Sequence, residues 1–223
     1  MGFSARPRVR FGDGDVYQLR LELEGILPTV WRRVAVSGRA SLQELHGIIQ
    51  CAFDRDDEMS FGYRFLVDGV EYLDPEDGPR HGHAADAIAL EQLGLHPGAR
   101  FEHAVEHHGE GWRQVVSLEQ VTPRLVGQRL PSCLGAGRAA PPEHCSGAPD
   151  YRRLLDALHD PHDPHARDWL PDDFDPAYVD VVAINAALAK LKRHRPAAPY
   201  TFPESSSITP LPWMNWRKRA SAS

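Results

Sequence analysis

Long apolar runs, a cysteine framework and a basic surplus are all missing from this sequence, and each absence narrows what it encodes. No stretch of the 223 residues is apolar for the roughly 20 positions that a membrane-spanning helix needs. Cysteine appears three times, as Cys51, Cys133 and Cys145. So low and odd a count argues against a disulfide-held fold and for a reducing compartment. The first ten residues are basic but have no apolar core, so they do not read as a secretory leader, and a cytoplasmic protein is expected. The net charge is -6 with the twelve histidines neutral. Nucleic-acid binders draw affinity from neutralised phosphates, so this balance favours a protein partner over DNA or RNA. There is also no Gly-x-Ser-x-Gly elbow, no P-loop and no Gly-x-Gly-x-x-Gly fingerprint, so the familiar nucleophile and dinucleotide enzymes find no support.

What is present reads as an ordinary globular chain. Hydrophobic residues make up 42% and charged residues 25%, enough for one large domain with an appendage. Tyr17, Leu19, Leu21 and Leu23 alternate with Gln18, Arg20, Glu22 and Glu24, the period of a half-buried strand. A turn over Gly25 to Thr29 leads to a second strand from Val30 to Val36. The same alternation puts Arg32 on the face of Val30 and Val34, where it is expected to pair internally with a carboxylate.

A helix follows. Ser41 and Glu44 have capping-box spacing, and Leu42, Leu45, Ile49 and Ala52 form its apolar stripe. Cys51 lies inside that helix. Asp68-Gly69 marks a second hairpin between Tyr63 and Leu73. A short helical turn is expected within Ala85 to Leu95. Phe101 to Glu106 and Trp112 to Val121 form a last strand pair. The order strand, strand, helix, strand, strand, short helix, strands predicts an α+β fold: a β-grasp-like mixed sheet packed on a helix.

From about residue 128 the composition changes to Pro, Gly and small residues, then turns helical. One helix is expected over Tyr151 to Leu158. Another is expected from the cap Asp175-Pro176 to about Arg193, with Val181, Val182, Leu188 and Leu191 on its apolar side. The partition is therefore a core over 1–127, a loop and C-terminal helical extension over 128–195, and a tail over 196–223 that holds Trp213 and Trp216.

Five segments taken together resemble the plasmid pRiA4b ORF-3-like family. They are Tyr17 to Leu21 with Pro28 to Arg33; Leu42 to Gln50; Gly109 to Trp112 with Leu118-Glu119; Cys133 to Gly137 with Pro141 to Glu143, Gly147 and Tyr151; and Asp160-Pro161 with Trp169-Leu170, Phe174 to Pro176 and Asn185. The resemblance implies a compact α+β fold and a link to mobile-element or plasmid genes. It implies no known activity. A resolvase-like label also attaches to the family, yet the chain shows neither a nucleophilic serine in an arginine-rich site nor a helix-turn-helix reader. The chain departs from the family pattern at four places. Glu106 to Glu110 replaces an aromatic-Asp-Phe-Gly-Asp stretch. Gln114 stands where a His is common, Ala140 where a Cys is common, and Arg55 where a Trp is common.

Candidate chemistry sits in three places. Glu106, His107, His108 and Glu110 at a hairpin tip carry zinc-type or other divalent-metal ligands, or simply a polar turn. Cys133, His144 and Cys145 offer thiolate and imidazole, or a cysteine-containing loop packed on the sheet. Arg32 and Arg33 suit a phosphate or carboxylate, or a structural ion pair. Trp112 and Glu143 join them as expected binding residues. The acidic run Asp54 to Glu58 lacks EF-hand spacing, and His159, His162 and His165 are interrupted by prolines; both read as polar loops. No catalytic residue is assigned. The expected function is a non-enzymatic protein-interaction or regulatory module with an unknown protein partner. The alternative is a divalent-metal-dependent hydrolase or nucleic-acid-processing enzyme built on His107, His108 and Glu110, with zinc or another divalent ion activating water.

Overall fold

A computed structural model describes residues 10–55, 62–76, 82–107, 110–160, 170 and 174–191. The first strand, β1 (Phe11–Leu23), follows the expected alternation. Tyr17, Leu19, Leu21 and Leu23 are buried, and Gln18, Arg20 and Glu22 are half-buried on the other side. β2 (Trp31–Ser37) returns antiparallel, with Leu19 opposite Val34.

The helix α1 (Leu42–Ala52) starts where the sequence places it. The Ser41 hydroxyl accepts from the Glu44 amide at 3.1 Å, and the Glu44 carboxylate accepts from the Ser41 amide at 3.0 Å. This reciprocal pair satisfies two otherwise orphaned donors. Leu42, Leu45, Ile49 and Ala52 bury the apolar stripe, in one cluster with Leu19, Leu21, Val34 and Val36. Two polar residues, His46 and Gln50, share that buried side.

β3 (Tyr63–Val67) and β4 (Val70–Leu73) form the second hairpin. Asp68 and Gly69 both take positive φ, 47° and 84°, as a two-residue turn with the right twist requires. A two-residue strand β5 (His83–Ala84) and a 3-10 turn (Leu90–Leu93) come next. β6 (Arg100–His107) and the long β7 (Glu110–Leu125) form an antiparallel pair. With a further strand, β8 (Ser132–Gly137), the described strands lie in the order β5-β4-β3-β6-β7-β1-β2-β8. The fold is thus mixed α+β, with an eight-stranded sheet and three α-helices among the described residues. All neighbours are antiparallel except β4 and β5, and both neighbours of β1 run antiparallel to it.

The strand β8 (Ser132–Gly137) was not expected from the sequence. It pairs with β2 through Val34 and Cys133, among others. Two further helices follow among the described residues, α2 (Ala148–His159) and α3 (Val181–Leu188). Here the structure corrects the expected start. Asp175 caps only a turn, accepting from the Ala177 amide at 2.8 Å. The helix begins after Asp180, whose carboxylate accepts from Val182 and Ala183. Asp180 wins because its side chain meets two consecutive orphaned amides. The apolar side is also corrected: Leu188 is buried, but Val182 is exposed.

Asn185 of α3 closes the outer edge of β8 at one point. Its amide accepts from the Cys133 N–H at 2.9 Å and donates to the Cys133 carbonyl at 3.0 Å. Tyr151, Leu155 and Leu188 join the same apolar cluster as α1 and the sheet. No described helix is long and apolar enough to cross a membrane.

Candidate functional site

His107 and Glu110 face each other at the ends of β6 and β7. Their side chains, and His108 altogether, lie outside the described residues, and so do His162, His165, Trp213, Trp216 and the acidic positions 56–58. Cys133 and Cys145 are buried, whereas Glu143 and His144 are exposed. The Cys133 thiol donates to the Gly135 carbonyl at 3.4 Å. Burial pushes the Cys145 thiol up to about 11 and raises that of Cys133. Both are therefore protonated and weakly nucleophilic at neutral pH. Among the described residues, no three His, Cys, Asp or Glu side chains come close enough to share a metal ion.

The two adjacent arginines of β2 go to opposite faces. Arg32 points inward and is 1% exposed. Its Nε donates to the Ala52 carbonyl at 2.8 Å, and its Nη1 donates to the carbonyls of Trp31 and Arg138 at 2.8 and 3.0 Å. Its guanidinium also lies over the Phe53 ring, 4.9 Å from the centroid. The internal carboxylate expected for Arg32 is thus replaced by backbone carbonyls. The physical reason is position. Arg32 reaches the C-terminal end of α1, where carbonyls lack helical partners and the helix dipole favours a cation. Burial lowers its pKa to about 10. Arg32 therefore ties α1 to β2 and β8.

Arg33 makes the ion pair instead. Its Nε and Nη2 grip the Glu119 carboxylate at 2.6 and 2.8 Å, side by side, and Gln18 donates to the same carboxylate at 2.9 Å. Arg33 and Arg20 both stack on Trp31, 5.6 and 4.4 Å from its ring centroid. Glu22 holds Arg20 at 2.9 Å. Trp31 lies along β8, and a Cβ at Gly137 would run into its indole. A broad recess of about 630 Å³ on this face is lined by Gln18, Glu22, Arg100, Ser117 and Glu119.

Two arrangements escaped the sequence reading. In the first, His46 Nδ1 and His103 Nε2 are 2.9 Å apart, and His103 Nδ1 meets Gln114 Oε1 at 2.7 Å. The amide oxygen can only accept, so His103 carries its proton on Nδ1. His103 Nε2 then accepts from His46 Nδ1–H. All three side chains are buried, and His46 stacks on Tyr63 with ring centroids 3.7 Å apart. Desolvation, followed by the His46 charge, holds the His103 pKa well below the ordinary imidazole value. The sequence signal was available. His103 alternates with Phe101 and Val105, and Gln114 with Trp112 and Val116, so both are polar residues at core positions of their strands.

In the second arrangement, Arg55 lies over the buried Trp112 ring, 4.0 Å from its centroid. The Trp112 indole N–H donates to the Cys145 carbonyl at 3.2 Å, which fixes the ring. Burial lowers the Arg55 pKa to about 10, opposed by nearby Cys145 and Glu143. Nothing in the local sequence links positions 55 and 112, which meet only through the tertiary fold.

The family model described as "Plasmid pRiA4b ORF-3-like protein" matches residues 15–183. The uncharacterized protein y4hQ of Sinorhizobium fredii (strain NBRC 101917 / NGR234) is 29% identical over 182 residues, which span 79% of this chain and 92% of that one. The crystal structure of a protein of unknown function, MM3350, from Methanosarcina mazei Go1 superposes with a TM-score of 0.64 at 28% identity. That match covers 75% of this chain and 96% of the other. Neither relative's name carries an activity. The matched span runs from β1 into α3 and takes in both the Trp31 face and the buried histidine chain, and the chain belongs to the plasmid pRiA4b ORF-3-like family.

Proposed function

We propose that this chain is a non-enzymatic protein-interaction module that docks a protein partner on the open face of its sheet, around Trp31. The observation that carries this reading is the setting of Trp31. It is a half-buried indole on the sheet face opposite α1, stacked by Arg20 and Arg33. Tryptophan and arginine are the residues that most often dominate protein interfaces, because they bury large area at low entropic cost and keep polar contacts. The arginines are held in place by Glu22 and Glu119, so the face is ordered before a partner arrives. The charges are mixed, with the four arginines Arg20, Arg33, Arg100 and Arg113 against the three glutamates Glu22, Glu24 and Glu119. A face of that kind suits a protein surface of mixed charge better than a polyanion. The family description adds a link to a plasmid gene.

The test is position-dependent cross-linking in cells. A photoreactive residue at Ser117, on this face, is compared with one at the exposed Arg152 of α2. The reading predicts one protein adduct specific to position 117. Equal adducts from both positions, or none from position 117, would overturn it.

A further inference from the structure

We infer that Arg55, seated on the Trp112 indole, is a binding site for a small oxyanion, a carboxylate or a phosphate. The argument begins with a comparison inside the molecule. Arg33 uses Nε and Nη2, the two nitrogens along one edge of its guanidinium, to hold both oxygens of Glu119. On Arg55 the same two nitrogens are shielded from solvent and meet no acceptor. That edge is shaped for two parallel hydrogen bonds to a planar carboxylate or to two phosphate oxygens. A buried polar group without a partner is unfavourable, and a buried charge more so, so an acceptor here is strongly favoured.

Nearby Cys145 and Glu143 favour the cation, yet neither bonds its Nε or Nη2. Arg138 lies near Tyr151, whose hydroxyl donates to the Ala139 carbonyl at 3.4 Å. The Nε of Arg138 is likewise buried without an acceptor, and its backbone takes a φ of 69°, which side-chain-bearing residues seldom adopt. Asp54, next to Arg55, has a φ of 53°. Residues held in this region are enriched at ligand sites, where surrounding structure enforces them. Trp112 supplies a flat, fixed surface that sets the plane of the fork. Arg55 as a whole is half-buried while its Nε–Nη2 edge is covered, so an anion reaches that edge as the cover shifts. Asp56, Asp57 and Glu58, next in sequence, are the carboxylates that the test must separate from an added anion.

The experiment uses the full chain and two readouts. Melting is followed in sodium phosphate and in sodium acetate against chloride at equal ionic strength. The Nε–H resonance of Arg55, assigned by its loss in Arg55→Lys, is followed by NMR in the same titrations. A ligand of millimolar affinity raises the folded-to-unfolded ratio about 100-fold at roughly 100 mM. The inference predicts that stabilisation for at least one of the two anions, with a saturable shift of the Arg55 signal. Phosphate alone or acetate alone identifies the source. Arg55→Gln is expected to lose the specific rise and keep only the small general stabilisation that an excluded salt such as phosphate gives. An equal rise in Arg55→Gln, or an unmoved Arg55 signal in both anions, would overturn the site. So would an Arg55 signal that moves without added anion when Asp56, Asp57 and Glu58 are changed to their amides, because the acceptor would then be internal.

Discussion

His103 shows how one side chain can set a pH limit on the fold. It is fully buried in its neutral form and donates to Gln114. Its folded pKa lies well below 6.5, the value it regains on unfolding. Above pH 6.5 both states are neutral and the group adds no pH dependence. Below it the unfolded chain takes up a proton that the folded chain refuses, so stability falls as pH falls toward the folded pKa. The slope is about 1.4 kcal/mol per pH unit for one such proton. Urea midpoints measured between pH 7.5 and 5.5 should decline, and His103→Leu should flatten the decline. A variant with an unchanged slope would contradict the assignment. Arg32 gives a second prediction at this scale. Arg32→Met removes the donor for at least three carbonyls, and stability should drop by about 3 kcal/mol, the range for breaking a buried charged network. A loss below about 1 kcal/mol in urea unfolding would show that the carbonyls find other partners.

The elements differ in how plainly the sequence announces them. α1 is written in Ser41, Glu44 and the Leu42-Leu45-Ile49-Ala52 stripe, and β1 in four alternating apolar residues; both fold as read. β8 is not announced, because Ser-Cys-Leu-Gly-Ala-Gly has neither β-branched residues nor alternation. Gly137 has a tertiary cause: the Trp31 indole occupies the space that a Cβ there would need. Gly137→Val should therefore displace Trp31 and weaken partner docking while the α1 side of the sheet stays intact. The start of α3 was misread because two aspartates competed and only Asp180 reaches orphaned amides. Asn185→Ala leaves the N–H and C=O of Cys133 without their side-chain partner. It should cost about 2 kcal/mol and speed hydrogen exchange at the Cys133 amide, while unchanged exchange would mean that this edge is protected otherwise.

Across the molecule, the sequence revealed class and membership better than site. The α+β class, the helix on one sheet face and the family follow from local patterns and segment order. The two faces of the sheet came apart only in three dimensions. The inner face carries Arg32, His103 and Gln114, with His103 bonded to His46 of α1, in fixed pairings that stabilise the fold. The outer face gathers Arg20, Trp31 and Arg33 from two neighbouring strands into one stack. Adjacent arginines at positions 32 and 33 look alike in sequence, and strand alternation gives them opposite roles.

The most direct test of the interaction reading is the affinity of full-length Trp31→Ala for the protein captured from position 117, measured beside the unaltered chain. Both proteins must first melt at comparable temperatures. The account predicts a loss of at least about tenfold, as expected for a central tryptophan. Equal affinity in a folded Trp31→Ala protein would contradict it and remove the open sheet face as the docking surface.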